Sequence, residues 1–180
     1  MAKRIIQFGT SRFLQAHADL FIHEARIAGQ DIGPITVVKT TRGTERSGRV
    51  SAFGDKAGYP VIIRGITDNQ TVNNTLSVTS IDGGLNADRD WQKLNEVFAN
   101  EAQVVFSNVG ESGYAIPTED EVSTPTANQV PASFPAKLLS LLHARYVAGG
   151  KPLLILPCEL ISENGKVLRQ ILVGLADKWE

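Results

Sequence analysis

Short apolar runs alternate along the chain with segments in which apolar residues recur every three or four positions. Ile5, Ile6 and Phe8 form a run that ends on Gly9, the pattern of a strand buried on both faces. Leu14, Ala18, Phe21, Ala25 and Ala28 follow at helical spacing and predict one helix lying on a sheet, stopping at Gly29. After Gly33-Pro34, the β-branched run Ile35 to Thr41 predicts a second strand. Glycine, serine and charge dominate from Gly43 to Tyr59, an exposed excursion. Val61 to Ile66 and Leu76 to Ile81 then read as two strands around the polar Asp68-Asn69-Gln70, a hairpin-like insertion.

Asn86 to Trp91 has helix-start chemistry, and Trp91, Leu94, Val97 and Phe98 repeat as a helix requires. Gln103 to Ser107 returns to the opening design, an apolar strand delivered into the small, polar loop Asn108 to Gly113. Pro117, Pro125, Pro131 and Pro135 predict a surface loop or flap with neither helix nor central strand. Helical periodicity resumes through Leu138, Leu141, Leu142 and Tyr146 and ends at Gly149-Gly150. Leu153 to Leu156 is wholly apolar, as a central parallel strand would be. Val167, Leu168, Ile171, Leu172 and Leu175 predict a last helix over residues 164–179. No internal repeat is present.

With 180 residues, 42% hydrophobic and 21% charged, the chain can bury one core, so a single domain over residues 1–180 is expected. The net charge of -1 offers no concentrated basic face for nucleic acid or an anionic membrane. No apolar run is long enough to span a bilayer, and Met1-Ala2-Lys3-Arg4 leads straight into a strand, which points to a cytoplasmic protein. Cys158 is the only cysteine, so neither an internal disulfide nor a multi-cysteine metal site can form. His17, His23 and His143 lack metal-ligand spacing, and no metal site is expected.

The candidate chemistry lies where strands end. A turn after the first strand aims backbone N–H groups beyond the strand's carboxyl end, where an anion such as a diphosphate can bind. Gly9-Thr10-Ser11-Arg12-Phe13-Leu14 keeps only the first glycine of the G-x-G-x-x-G pattern, although Ser11 still allows close approach and adds a hydroxyl. An ordinary first strand and helix of an α/β domain stays open as the other reading. The second strand ends in Lys39-Thr40-Thr41-Arg42 without a carboxylate, which leans toward NADP or no strict preference, with a solvated basic loop as the alternative. A methyltransferase would normally place an acid there. Asn108 can offer its amide to a ribose or nicotinamide, and Glu159 is the one ionisable group placed to act as acid, base or orienting residue.

Three stretches together carry a resemblance: Gln7 to His17, Ser107 to Tyr114, and Leu156 to Gly165. Their order and spacing resemble the mannitol dehydrogenase family of polyol-specific long-chain dehydrogenases, in particular its hexuronate branch, the tagaturonate and fructuronate reductases. The resemblance implies a Rossmann-like doubly wound, mostly parallel sheet, with a small β insertion between the second and third parallel strands. It implies the cofactor domain of an enzyme moving hydride between NAD, with NADP as second choice, and a sugar acid or polyol. The family's catalytic lysine, asparagine and histidine belong to a helical C-terminal domain, so no catalytic residue is expected in this chain, which would be the N-terminal part of a longer enzyme. Carried over by position, Gly9, Thr10, Ser11 and Phe13 would wrap the diphosphate, and Lys39 and Thr40 would flank the adenosine ribose. Ser107, Asn108 and Glu111 would line the middle of the groove, Cys158 and Glu159 would face the nicotinamide, and Asn164 would cap the last helix. Ser11 replaces the family's second glycine, Gln15 an arginine, and Val109-Gly110 two threonines. Leu160 stands where mannitol-specific members have asparagine, which moves the substrate toward uronates. A non-catalytic nucleotide-binding or interaction module is the alternative from another class.

Overall fold

A computed structural model describes residues 4–43, 47–121 and 129–179, apart from the side chains of Ser47 and Glu111. Its strands are β1 (Arg4–Phe8), β2 (Ile35–Lys39), β3 (Tyr59–Thr67), β4 (Gln70–Val78), β5 (Ile81–Asn86), β6 (Ala102–Ser107) and β7 (Leu154–Pro157). Five of them form one sheet in the order β5-β2-β1-β6-β7, and every pairing within it is parallel. Sequential strands thus run outward from β1 in one direction, then cross back to its other side at β6. That reversal is the topological switch of a Rossmann-like fold, and it opens a crevice between the carboxyl ends of β1 and β6.

The helices are α1 (Arg12–Ala16), α2 (Ala18–Ile27), α3 (Ser47–Ala52), α4 (Trp91–Asn100), α5 (Thr118–Glu121), α6 (Phe134–Val147) and α7 (Asn164–Ala176), with a 3-10 turn at Glu111–Tyr114. Side chains alternate across β1. Ile6 and Phe8 join the core under α4, α6 and α7, where Leu94, Phe98, Leu138, Leu141 and Leu168 are buried. Ile5 packs the other way, with Ile22 of α2 and Phe53 beyond α3. Each fully buried residue of this size contributes about 1.5–3 kcal/mol relative to exposure, so the two apolar faces of β1 fix its place at the centre. Arg145, 3% exposed, ties the far end together by donating to the carbonyls of Phe98, Ala99, Lys151 and Pro152.

The predicted hairpin exists and lies between the second and third parallel strands. β3 and β4 pair antiparallel from Tyr59–Val78 to Thr67–Gln70. Asp68 and Asn69 both have positive φ, 52° and 59°, as a two-residue turn matched to strand twist requires. The second half of that reading needs correction. Leu76 to Ile81 is not one strand: β4 ends at Val78, and Ile81 opens β5 in the main sheet. In the strand Ile81-Asp82-Gly83-Gly84-Leu85-Asn86 two glycines break the apolar pattern that marks the other strands of the sheet. Gly84 is there for space, since a Cβ would strike the Val50 carbonyl and side chain of α3.

The first helix is also not continuous. His17, at φ -125° and ψ -82°, separates α1 from α2, and the residues that α2 buries are Asp19, Leu20 and Ile22. Phe21, placed on the buried stripe by its spacing, is 59% exposed. Tyr59 explains the break in part: its hydroxyl donates to the Gln15 carbonyl at 2.9 Å and pins the base of the hairpin there. Two smaller corrections follow. One helical turn, α5, forms inside the proline-bearing segment, whose residues 122–128 lie outside the described ones. β7 is an edge strand, with Leu154 and Leu156 exposed.

Candidate functional site

Two hydrogen bonds mark where the central strands end. The Gly9 N–H donates to the Val38 carbonyl and the Asn108 N–H to the Phe8 carbonyl, each at 2.9 Å. Beyond them the chain turns away on both sides. Gly9 makes that turn at φ +107°, and a Cβ there would overlap the Asn108 carbonyl oxygen. Glycine is therefore demanded both by the conformation and by the close approach of the two loops.

Past Gly9 the backbone N–H groups of Thr10, Ser11, Arg12 and Phe13 have no partner among the described residues. Ser11 caps α1, its Oγ accepting from the Leu14 N–H at 3.2 Å. Thr10 and Ser11, which carry the first two of these donors, line a cavity of about 240 Å³ together with Gly9, Lys39 to Thr41 and Asn108 to Gly110. A second hollow of about 410 Å³ continues from it, lined by Thr10, Ser11, Arg12 and Arg49. Free N–H groups and two guanidinium side chains make this corner attractive to an anion. Two larger hollows lie elsewhere. One, of about 720 Å³, lies at the opposite, amino-terminal ends of the strands, where Arg4 pairs with Asp82 and Glu101. The other, of about 550 Å³, sits between α1, α3 and the base of β3, where Arg12 and Arg49 border it from the side of the anion corner and Ala52, Phe53 and Ile62 make it largely apolar.

Six of the residues singled out in the sequence meet in the cavity: Gly9, Thr10, Ser11, Lys39, Thr40 and Asn108. The others do not line it. Phe13 is 54% exposed and stacks on His17, ring centroids 4.7 Å apart. Ser107 is fully buried. The side chain of Glu111 lies outside the described residues. Lys39 lines the cavity but is 2% exposed, and its ammonium donates to the carbonyls of Thr41 and Gly43. It braces its own loop.

The loop after β7 differs most from the expectation. Glu159 is 4% exposed and turns inward, accepting from Ser107 Oγ at 3.0 Å, Tyr114 Oη at 2.9 Å and the Val109 N–H at 3.2 Å. It does not face the crevice. Burial and this carboxylate push the Tyr114 hydroxyl well above its ordinary range. The Cys158 thiol is likewise raised, by burial first and then by Glu159, which keeps it protonated and a poor nucleophile. Asn164 is no helix cap. It is the first residue of α7, and its Nδ2 donates to the carbonyls of Pro157 at 2.8 Å and Glu159 at 3.1 Å. Thr41, Val109 and Gly110 complete the cavity, and their adjacency to the named strand ends was the available signal. Arg49 had none, because only the packing of α3 brings it to Ser11.

The family model for the mannitol dehydrogenase Rossmann domain matches residues 3–180. An altronate oxidoreductase of Halalkalibacterium halodurans is 33% identical over 99% of this chain and 35% of its own length. The Bacillus subtilis altronate oxidoreductase is 28% identical over 99% of this chain and 37% of its own length. The chain therefore spans a little over a third of these curated relatives. Among solved structures, the Pseudomonas fluorescens mannitol 2-dehydrogenase ternary complex with NAD and D-mannitol superposes with a TM-score of 0.80 at 23% identity, covering 98% of this chain and 37% of that one. A D-sorbitol dehydrogenase in substrate-free form gives 0.76 at 18% identity, with 98% and 38% covered. At these identities the structural likeness speaks for the fold.

Proposed function

The chain belongs to the mannitol dehydrogenase Rossmann-domain family, and from that premise we propose that it is the cofactor-binding domain of an oxidoreductase that moves hydride between NAD and a sugar acid or polyol. The observation that carries the proposal is the Gly9 corner: four unpaired N–H groups beside a cavity at the sheet's switch point. The fit is partial in a useful way. A volume of about 240 Å³ is below the roughly 300–1,000 Å³ of pockets that enclose a whole ligand, so it takes the diphosphate and adenosine side, leaving the nicotinamide half on the open face beyond Asn108.

In this proposal Thr10 to Phe13 hold the diphosphate through backbone N–H groups, and Thr40 and Thr41 offer hydroxyls to a ribose. Asn108, whose Nδ2 is committed to the Cys158 carbonyl at 2.7 Å, has Oδ1 as its remaining acceptor. NAD, when bound, supplies the hydride acceptor or donor. NAD is the first choice and NADP the second, since β2 ends without a carboxylate and Lys39 is turned inward. The substrate class follows from the relatives, which are altronate oxidoreductases, and from Leu160 in place of asparagine. Neither Cys158 nor Glu159 is placed to move the alcohol proton, so that group is assigned to a further, C-terminal domain of the kind the longer relatives have room for. The proposal puts the protein in the cytoplasm, where a lone free thiol stays reduced.

Titrating the 180-residue chain with NADH while following nicotinamide emission tests the proposal. Saturable binding without turnover of altronate is expected. Absence of binding to NADH and NADPH alike at millimolar concentration would contradict it.

A further inference from the structure

One buried carboxylate grips both loops that border the open side of the crevice. Glu159 takes hydrogen bonds from Ser107 at the end of β6, from the Val109 N–H in the loop after it, and from Tyr114 in the 3-10 turn. Those donors are 45 to 52 residues away in sequence. Asn108 lies between two of them and is held a third way, through its own amide on the Cys158 carbonyl. The Cys158 N–H closes the arrangement by donating to the Ser107 carbonyl at 2.8 Å. Bonds to an ionised acceptor are roughly twice as strong as neutral ones. A buried carboxylate also demands them, because leaving it unpaired would be costly. The loop after β6 is thus tied to the loop after β7 through a group that does not itself line the cavity.

We propose that Glu159 is a positioning residue: by holding Ser107 and Val109 on either side, its carboxylate sets the place of the Asn108 side chain at the crevice and thereby governs dinucleotide affinity without contacting the dinucleotide. This inference rests on the cofactor reading above. A role confined to stability would weaken the chain equally whatever stands at position 108. A positioning role acts through Asn108, so its effect vanishes once that side chain is gone.

The test is a double-mutant cycle on the 180-residue chain, read as NADH affinity with thermal midpoints alongside. Glu159→Gln keeps the shape but sets an NH₂ against at least one donor. It is expected to weaken NADH binding about tenfold, in line with losing one charge-assisted bond. In an Asn108→Ala background the same change is expected to cost no more than about twofold, the coupling of neighbouring groups being what such cycles measure. Glu159→Asp, which retains the charge on a shorter arm, recovers part of the loss. Equal losses in both backgrounds, or an unchanged affinity in Glu159→Gln, would overturn the inference. Should Glu159→Gln not fold, Tyr114→Phe removes one donor from the same carboxylate, and the cycle with Asn108→Ala decides by the same criterion. If the parent chain binds no dinucleotide, the cofactor reading fails and this inference with it; a binding parent with an unresponsive Glu159→Gln removes this inference alone.

Discussion

Gly9→Val is expected to weaken NADH binding roughly 100-fold, the loss of two charge-assisted N–H contacts at about 1.5 kcal/mol each. The backbone stands at φ +107°, where a β-branched residue is an outlier, and the new Cβ would fall on the Asn108 carbonyl. Relief requires either loop to move. Moving it breaks the Gly9 bond to Val38 or the Asn108 bond to Phe8, and swings the N–H groups of Thr10 to Phe13 off their common target. Strain of this kind costs about 1–3 kcal/mol of stability, which lowers the thermal midpoint by roughly 2–4 °C per kcal/mol in a domain of this size. Gly29→Ala is the control. Its φ is +79°, yet nothing lies within 4 Å of the added Cβ, so it should lose stability and keep its affinity. Parent-like binding by Gly9→Val would show that this turn is not the phosphate cradle.

The second large effect concerns pH. Asp19 is fully buried at the start of α2, and burial raises its carboxyl from 3.8 to about 6, partly offset by hydrogen bonds from Gln7 and Tyr59. Gln7 Nε2 and Tyr59 Oη each lie 3.4 Å from Asp19 Oδ2, while Asp19 Oδ1 and Gln7 Oε1 have no partner among the described residues. Neither acceptor has a donor, and a proton on the carboxyl removes the charge that burial penalises. Because the folded chain holds this proton more tightly than the unfolded one, the stability it brings is full below about 3.8. That stability falls as pH rises and is gone above about 6. A rise from 3.8 to about 6 corresponds to about 3 kcal/mol. Asp19→Asn carries a permanent donor in the same shape. Its midpoint is expected to rise relative to the parent by roughly 6–12 °C between pH 4 and pH 7. A difference between the two proteins that does not change with pH would contradict this.

How far such features can be read in advance depends on whether they are local. β1, β2 and β6 announce themselves because both faces of each are buried, and Gly9 follows from the strand it ends. The hairpin was legible in its β-branched residues. β5 was not, because two glycines interrupt its apolar pattern and one of them, Gly84, answers to Val50 on a helix thirty-odd residues away. Phe21 fits a helical stripe in spacing, yet the break at His17 rotates α2 so that Leu20 and Ile22 go inward instead. At the site, residues at strand ends could be named, while side-chain direction could not. Lys39 turns back because its own loop's carbonyls reach it first, and Glu159 turns inward because Ser107 and Tyr114, distant in sequence, wait there.

Amide chemical shifts of the isotope-labelled 180-residue chain, followed during titration with NADH, test most directly whether the start of α1 receives a dinucleotide. Saturating changes are predicted to be largest at Thr10 to Phe13, with a second group at Asn108 to Gly110. Changes confined to the hollow beside Arg4 and Pro152, or to that between α1, α3 and β3, would contradict the assignment, as would none at millimolar NADH.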